Sequence, residues 1–378
     1  MIKKFAGHCA LLPDGPAKNT MVTVDDDGRI AAIEQFDPSQ LDAMAGVEFH
    51  SGILVPALVN AHCHLELSYL RGAIPRGCGF AGFAEGMAAV RNRFSDEERL
   101  QAARDADREM YSAGIGAVGD IANDASAFVV KEASPVFYRT FCEVFGLRHN
   151  NLSRAAAMAG RQSSSLTPHS MYSLNNELLA TVCREGGNPL SIHFMESPSE
   201  RELFEGRGPL RAWFDSEGFE CDFLDCGSPA ERLTACIPPD RSVVLVHCTC
   251  VAQRDIDIIM NHFRAPVHWC LCPRSNDYIS GLQPDVGLLR RNGLNICLGT
   301  DSPASNESLT MEEELKSFVD VPLDEVLMWA TRNGAEALGL SDGRGVLRVG
   351  SRCGLAVVEG VDLAAMRTTD RLRVHRLA

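Results

Sequence analysis

Eight short apolar runs, at residues 53–61, 115–121, 136–144, 166–172, 190–195, 243–248, 267–272 and 294–299, divide the middle of this chain into regular segments. Runs that are apolar throughout, instead of alternating with polar residues, suit strands buried on both faces, as in parallel sheets covered by helices. The segments between them carry helix-start signals. Ser95 with Glu98 makes a capping box ahead of Arg99-Leu100-Gln101-Ala102-Ala103, and Ser197-Pro198-Ser199-Glu200 makes another with proline at the first helical position. Strands and helices in this alternation predict an α/β fold, a (β/α)8 TIM-like barrel.

The ends of the chain have a different texture. Met21-Val22-Thr23-Val24, then Asp25-Asp26-Asp27-Gly28, then Arg29-Ile30-Ala31-Ala32-Ile33 read as a hairpin. Beyond the last helical segment, Gly345-Val346-Leu347-Arg348-Val349-Gly350 and Gly354-Leu355-Ala356-Val357-Val358-Glu359 return to short strands. The expected organisation is one small β domain from residues 1–54 plus 343–378, beside a barrel of residues 55–342.

Composition narrows the partners. With 36 Lys and Arg against 50 Asp and Glu, the chain carries a net charge of −14, which sets it against nucleic acid and anionic membrane surfaces. No apolar stretch of 18 residues occurs, and the opening Met1-Ile2-Lys3-Lys4-Phe5-Ala6-Gly7-His8 has two lysines with no apolar segment behind them, so a cytoplasmic protein is expected. The 14 cysteines fall mostly inside apolar runs such as Asn295-Ile296-Cys297-Leu298 and suit reduced thiols. The close pairs Cys248/Cys250 and Cys270/Cys272 read as small core residues in preference to a Cys-x-Cys metal site.

The chemistry concentrates at strand ends. In Asn60-Ala61-His62-Cys63-His64-Leu65-Glu66, alternation along a strand points His62 and His64 the same way, and two imidazoles on one face can chelate a divalent metal. Pro189-Leu190-Ser191-Ile192-His193 and Val243-Val244-Leu245-Val246-His247 end two more runs in histidine, and Ile296-Cys297-Leu298-Gly299-Thr300-Asp301 ends another in aspartate. A barrel gathers such ends at one mouth, where His62, His64, His193 and Asp301 could complete an open site that keeps a position for water. Imidazoles with one carboxylate suit zinc or iron equally.

These residues resemble the pattern of the amidohydrolase superfamily over nearly the whole chain, with His62/His64, His193, His247 and Asp301 at matching strands. The resemblance implies a small β sandwich from the chain ends. It also implies a single metal, since residues 137–143 and 166–170 lack the bridging lysine of two-metal members. The run His193-Phe194-Met195-Glu196 is similar to the deaminase branch and implies roles: Asp301 takes the proton of an activated water, His247 orients the hydroxide, and Glu196 protonates the ring and then the leaving nitrogen. Leu166-Thr167-Pro168-His169-Ser170-Met171-Tyr172-Ser173 resembles the motif of nucleoside-directed deaminases in which the histidine, here His169, contacts substrate.

A closer resemblance, to the aminodeoxyfutalosine deaminases of menaquinone biosynthesis, rests on the stretch from Asn60 through Ser68-Tyr69-Leu70-Arg71-Gly72, on Gly79-Phe80, on Ser191 to Ser197 and on Cys272-Pro273-Arg274-Ser275-Asn276. It implies a small purine nucleoside-like substrate whose adenine becomes hypoxanthine with release of ammonia. Ser68 lies within the motif as a candidate substrate contact, and Arg76, Arg148 and Arg274 are candidates for the substrate's benzoate, which a guanidinium fits. Relatives acting on S-adenosylhomocysteine, methylthioadenosine, guanine or triazines share this frame, and a cyclic amide hydrolase on the same barrel is a further alternative. Ser351-Arg352-Cys353-Gly354-Leu355-Ala356 departs from the superfamily's usual Ala-Asp-Leu ending, at the edge of the fold. His64-Leu65-Glu66 satisfies the His-x-Glu of cytidine deaminases, but the Pro-Cys-x-x-Cys those enzymes need is missing. Barrels of this kind often pair through helices or loops, which allows a homodimer.

Overall fold

The computed structural model describes residues 2–378; Met1, the head of the lysine-bearing opening stretch, lies outside them. The chain starts with three strands, β1 (Lys3–Leu12), β2 (Gly15–Val24) and β3 (Ile30–Gln35). β2 and β3 form the expected hairpin, and β1, which the sequence reading did not resolve, pairs antiparallel with β2. The apolar run at 53–61 serves two strands, β4 (Val47–Pro56) and β5 (Leu58–Cys63). The break falls at Pro56, which has no N–H to donate, and at Ala57, whose N–H is taken by the carbonyls of Cys353 and Gly354.

Seven further runs become β6 (Ile115–Ala122), β7 (Phe137–Val144), β8 (Ser164–Pro168), β9 (Leu190–Phe194), β10 (Val243–His247), β11 (Val267–Leu271) and β12 (Asn295–Leu298), each within a few residues of its expected place. All pair in parallel, and β9, β10 and β11 are buried at every position, as strands covered on both faces must be. They form two four-stranded sheets, β5-β6-β7-β8 and β9-β10-β11-β12. Between the sheets the ladder shrinks to two isolated parallel bridges, Cys63 with Asp301 and Ser170 with His193.

The last strands, β13 (Leu355–Glu359) and β14 (Arg373–Arg376), return to the beginning of the chain. β13 runs antiparallel to β4, giving one six-stranded sheet in the order β14-β13-β4-β1-β2-β3. The two chain ends therefore meet in one hydrogen-bonded six-stranded sheet. The segment 345–350, expected as a strand, instead turns, with φ +72° at Gly345 and φ +88° at Gly350. A side chain at Gly345 would come within 2.6 Å of the Thr331 carbonyl, so this turn needs glycine. Leu347 drops from it into a core with Phe5, Val22 and Leu54.

The cysteines pack as small apolar residues. Cys270, Cys272 and Cys297 share a buried cluster with Ala61, Val244 and Val246 between the parallel strands, and all 14 thiols are free. Burial pushes Cys63, Cys248 and Cys270 well above their ordinary range, which keeps them protonated. No described helix is long and apolar enough to cross a membrane.

The expected capping box is present at helix Asp96–Ser112: Glu98 N–H donates to Ser95 Oγ at 3.3 Å and Ser95 N–H donates to Glu98 Oε2 at 2.8 Å. Ser95→Ala should cost about 1 kcal/mol of stability in urea unfolding. An unchanged midpoint would show that tertiary packing alone holds this helix end.

Candidate metal centre and active site

The two seams of the parallel layer carry the site. At one, the His62 carbonyl accepts from both Thr300 N–H and Asp301 N–H at 3.0 Å; at the other, His193 N–H donates to the His169 carbonyl at 2.9 Å. Nearby, Asn60 Nδ2 donates to Thr300 Oγ1 at 2.7 Å and Thr300 N–H returns a bond to Asn60 Oδ1. These contacts bring residues some 240 positions apart in sequence into register.

The cluster that results is buried, with His62 0% and His64, His193 and Asp301 each 6% exposed. His64 Nε2 lies 3.3 Å from His193 Nε2, and Asp301 Oδ1 lies 3.7 Å from His62 Nε2 and 3.3 Å from His64 Nε2. One ligating atom from each of the four residues sits within 4.8 Å of the others. Burial lowers the pKa of His62 and of His64, favouring neutral rings with free lone pairs. Both nitrogens of His62 and Nδ1 of His64 are buried with no hydrogen-bond partner, an arrangement that is costly for imidazole alone. Donor atoms gathered this closely can share one divalent ion. The residues fit a divalent metal, and these four form the metal site.

Two of the four donors, Asp301 and His193, are held from behind. Asp301 Oδ2 accepts from the hydroxyls of Ser275 and Ser305 at 2.6 and 2.7 Å, which leaves Oδ1 facing the imidazoles. Burial raises the Asp301 pKa, but the neighbouring imidazoles of His62, His64 and His247 outweigh it and hold the carboxyl well below the usual range. His193 Nδ1 lies 3.2 Å from Glu143 Oε1, and Asn123 Nδ2 donates to Glu143 Oε2 at 3.1 Å. Burial would lower the His193 pKa, yet Glu143 reverses the sign and carries it to about 9. The backbone N–H groups of Asn123 and Asp124 in turn donate to Glu66. The sequence alone did not single out Glu143 and Asn123; the available signal was one carboxylate near the C-terminal end of run 136–144.

His247 and Glu196 sit beside the cluster. His247 Nδ1 pairs with Asn276 Oδ1 at 3.0 Å, and its unpartnered Nε2 is 3.8 Å from Glu196 Oε1. Four non-glycine residues here adopt left-handed backbone: Met195 (φ 49°), His247 (φ 73°), Cys248 (φ 55°) and Asp301 (φ 59°). Each costs on the order of 1–3 kcal/mol, strain of a kind that gathers at functional sites. Glu196 opens onto a cleft of about 220 Å³ lined also by Phe80, Ser197, Asn276, Ile279 and Ser280.

His169 lies next to the cluster, its ring centroid 4.8 Å from that of His193, with Nδ1 near the hydroxyls of Ser170 and Ser173. Burial lowers its pKa to about 4 against the opposing pull of Glu143, so the ring is neutral near pH 7. Ser68 donates to the Leu65 carbonyl at 2.7 Å within its own short helix. Arg76 is paired with Asp277 at 2.7 Å and Glu307 at 3.0 Å. Arg148 bonds the Glu217 carbonyl and lies over the Phe219 ring. Arg274 donates its backbone N–H to Glu314 at the start of helix Pro273–Ile279.

Two outcomes follow from these supports. Glu143→Gln should weaken metal binding about 10–100-fold in a competition titration, because an amide orients His193 less well; unchanged affinity would remove Glu143 from the site. Burial pushes buried Glu314 from 4.5 to about 8, against bonds from Arg274 N–H and Asn306 Nδ2. Its folded value exceeds its unfolded one, so the stabilisation is full below about pH 4.5 and is lost as pH rises towards 8. The Tm of Glu314→Gln minus that of the parent should therefore grow from pH 5 to pH 8; a constant difference would contradict the raised value.

Comparison with known proteins agrees with this geometry. The model of the amidohydrolase family matches residues 53–373. Among curated proteins, the chain is similar to an adenosine deaminase of Helicobacter pylori, at 27% identity over 78% of this chain and 76% of that one. It is also similar to a 5-methylthioadenosine/S-adenosylhomocysteine deaminase of Halobacterium salinarum, at 28% identity over 94% and 84%. Among solved structures, the aminofutalosine deaminase of Helicobacter pylori in complex with methylthio-coformycin superposes with a TM-score of 0.78 at 23% identity, covering 97% of this chain and 93% of that one. An adenosine deaminase from Xanthomonas campestris with bound zinc gives a TM-score of 0.73 at 21% identity, covering 97% and 86%. On the strength of the match across residues 53–373, the chain belongs to the amidohydrolase family and is a hydrolase acting on carbon–nitrogen bonds.

Proposed function

We propose that the protein is a metal-dependent deaminase of an adenine-type nucleoside, and that its substrate is 6-amino-6-deoxyfutalosine, converted to futalosine and ammonia in menaquinone biosynthesis. The observation that carries the deaminase reading is the Glu196 carboxylate, 3.8 Å from His247 Nε2 at the edge of a cleft beside the metal site. Removing an amino group from an aromatic ring needs a nucleophile at carbon, a proton on the adjacent ring nitrogen and a second proton on the departing amine. Zinc or iron held by His62, His64, His193 and Asp301 would supply a nucleophile at neutral pH by acidifying water.

The chain's own residues do the rest. Asp301 Oδ1 accepts the water proton while the Ser275 and Ser305 hydroxyls keep Oδ2 occupied. His247, with Nδ1 fixed on Asn276, turns Nε2 towards the reacting carbon and orients the attacking oxygen. Glu196, protonated at the start, gives its proton to the ring nitrogen, takes up the proton that the added hydroxyl loses as the carbonyl forms and passes it to the leaving amine; the proton held by Asp301 restores the acid form of Glu196 once ammonia has left. Phe80 and Ile279 form apolar walls of the cleft against which the purine and its substituent can lie, and His169 offers a neutral ring to the nucleoside.

A second reading, deamination of methylthioadenosine or S-adenosylhomocysteine, draws support from the cleft lining, which contains no cation for a benzoate, and from Arg76, already engaged by two carboxylates. Ammonia release by the metal-reconstituted protein, measured in parallel on aminodeoxyfutalosine, S-adenosylhomocysteine, methylthioadenosine, adenosine and guanine, decides between them. The highest kcat/KM is expected for aminodeoxyfutalosine; preference for methylthioadenosine or S-adenosylhomocysteine would move the assignment to the second reading. Glu196→Gln should keep its metal and lose about 10²–10⁴-fold in kcat, and undiminished turnover would reject the mechanism.

A further inference from the structure

The backbone that carries Glu196 is clamped from two sides by residues that the reaction does not use. On one side lies Glu200, 1% exposed in helix Pro198–Phe204. Its Oε2 accepts from Met195 N–H at 3.0 Å and its Oε1 from Glu196 N–H at 2.8 Å. On the other side lies Thr249, just beyond His247, whose hydroxyl is 3.0 Å from the Met195 carbonyl and 2.6 Å from the Glu196 carbonyl. Cys248 N–H and Cys250 N–H reach back to the carbonyls of Phe194 and Met195 at 3.1 and 3.3 Å.

The need for such a clamp comes from the turn itself. Met195 is left-handed, so the chain leaves the β9 ladder after Phe194, one residue beyond the metal-site residue His193, and aims two successive N–H groups at one point. A carboxylate can accept both; an amide has only one acceptor oxygen. Placing it there is electrostatically unfavourable, because burial opposes its ionisation and the nearby Glu196 adds to the effect. A residue serving the helix start alone would not need a buried acid at this spot, since Ser197 Oγ already caps it through Ser199 N–H.

We infer that Glu200 and Thr249 are positioning residues that fix the Glu196 carboxylate against His247 Nε2, Glu200 by holding the amides of the turn and Thr249 by tying the turn to the segment that carries His247. The inference rests on the reading of Glu196 as the proton carrier. Neither residue lines the cleft, so their removal changes where the acid stands and leaves substrate contacts in place.

The test is a set of double-mutant cycles on the full-length, metal-reconstituted protein with its best substrate from the panel above. Glu200→Gln and Thr249→Val are each made alone and in the Glu196→Gln background. Alone, each should lower kcat about tenfold or more, with KM within about threefold and metal content unchanged. In the Glu196→Gln background the further loss should be under about twofold, because a residue that acts through Glu196 has nothing left to position. Amide hydrogen exchange at Met195 and Glu196 should quicken in Glu200→Gln, a readout independent of turnover. Equal losses in both backgrounds, a loss carried by KM or by metal content, or unaltered kcat would each overturn the inference. Should Glu200→Gln fail to fold, the near-isosteric Thr249→Val decides on the same criteria. Full turnover in Glu196→Gln alone overturns the proposed function and this inference together, whereas a normal loss there with additive losses at Glu200 and Thr249 overturns only the inference.

Discussion

The structure depends on a pair of backbone hydrogen bonds, those from Thr300 and Asp301 to the carbonyl of His62. They close one of two seams where the parallel ladder is otherwise interrupted, and they do so at the residues that bind metal. A regular ladder at this point would keep Asp301 in extended backbone with its side chain in strand alternation. The interruption lets Asp301 take a left-handed conformation and turn its carboxylate inwards. The second seam repeats the device, with the His169 carbonyl receiving His193 N–H. Architecture and chemistry meet at the same few peptide groups, which explains why strain gathers there and not in the surrounding helices.

A common logic runs through the layer behind the donors. Ser275 and Ser305 occupy one oxygen of Asp301, Glu143 stands behind His193, and Asn276 holds one nitrogen of His247. In each case the outer partner uses up one polar atom and thereby fixes where the other one points. These partners come from strand β7, from helix Pro273–Ile279 and from the segment beyond β12, so the orientation of the site depends on the packing of several elements at once.

The strand ends were readable because an ionisable residue closing an apolar run stands out; His62, His64, His193, His247 and Asp301 all announce themselves in that way. The parallel strands were readable for the same reason, as unbroken apolar texture. Three things were hidden. The split of the run at 53–61 into β4 and β5 leaves no trace in hydrophobicity, because both strands are buried, and only Pro56 hints at it. Leu347 satisfies an apolar pattern from within a turn, so 345–350 mimics a strand until the Thr331 carbonyl beside Gly345 is seen. Glu143, Asn123 and Thr249 make contacts distant in sequence, and Glu200 meets backbone amides of the turn just before it, contacts for which one chain read alone offers no pattern. The arginines show the reverse problem: Arg76 looked available, yet surface carboxylates already occupy its fork.

The continuity of β4 into β5 has a consequence for how the chain comes together. β4 lies between β1 and β13, so until residues 355–359 are synthesised one of its edges has no partner. That open edge lies only a few residues upstream of His62, and every metal-site residue leaves the ribosome before the strand that covers it. A nascent or C-terminally clipped chain would thus hold all four donors while β4 still offers bare N–H and C=O groups to any passing chain. Strand β13 closes that edge while contributing no residue to the metal site.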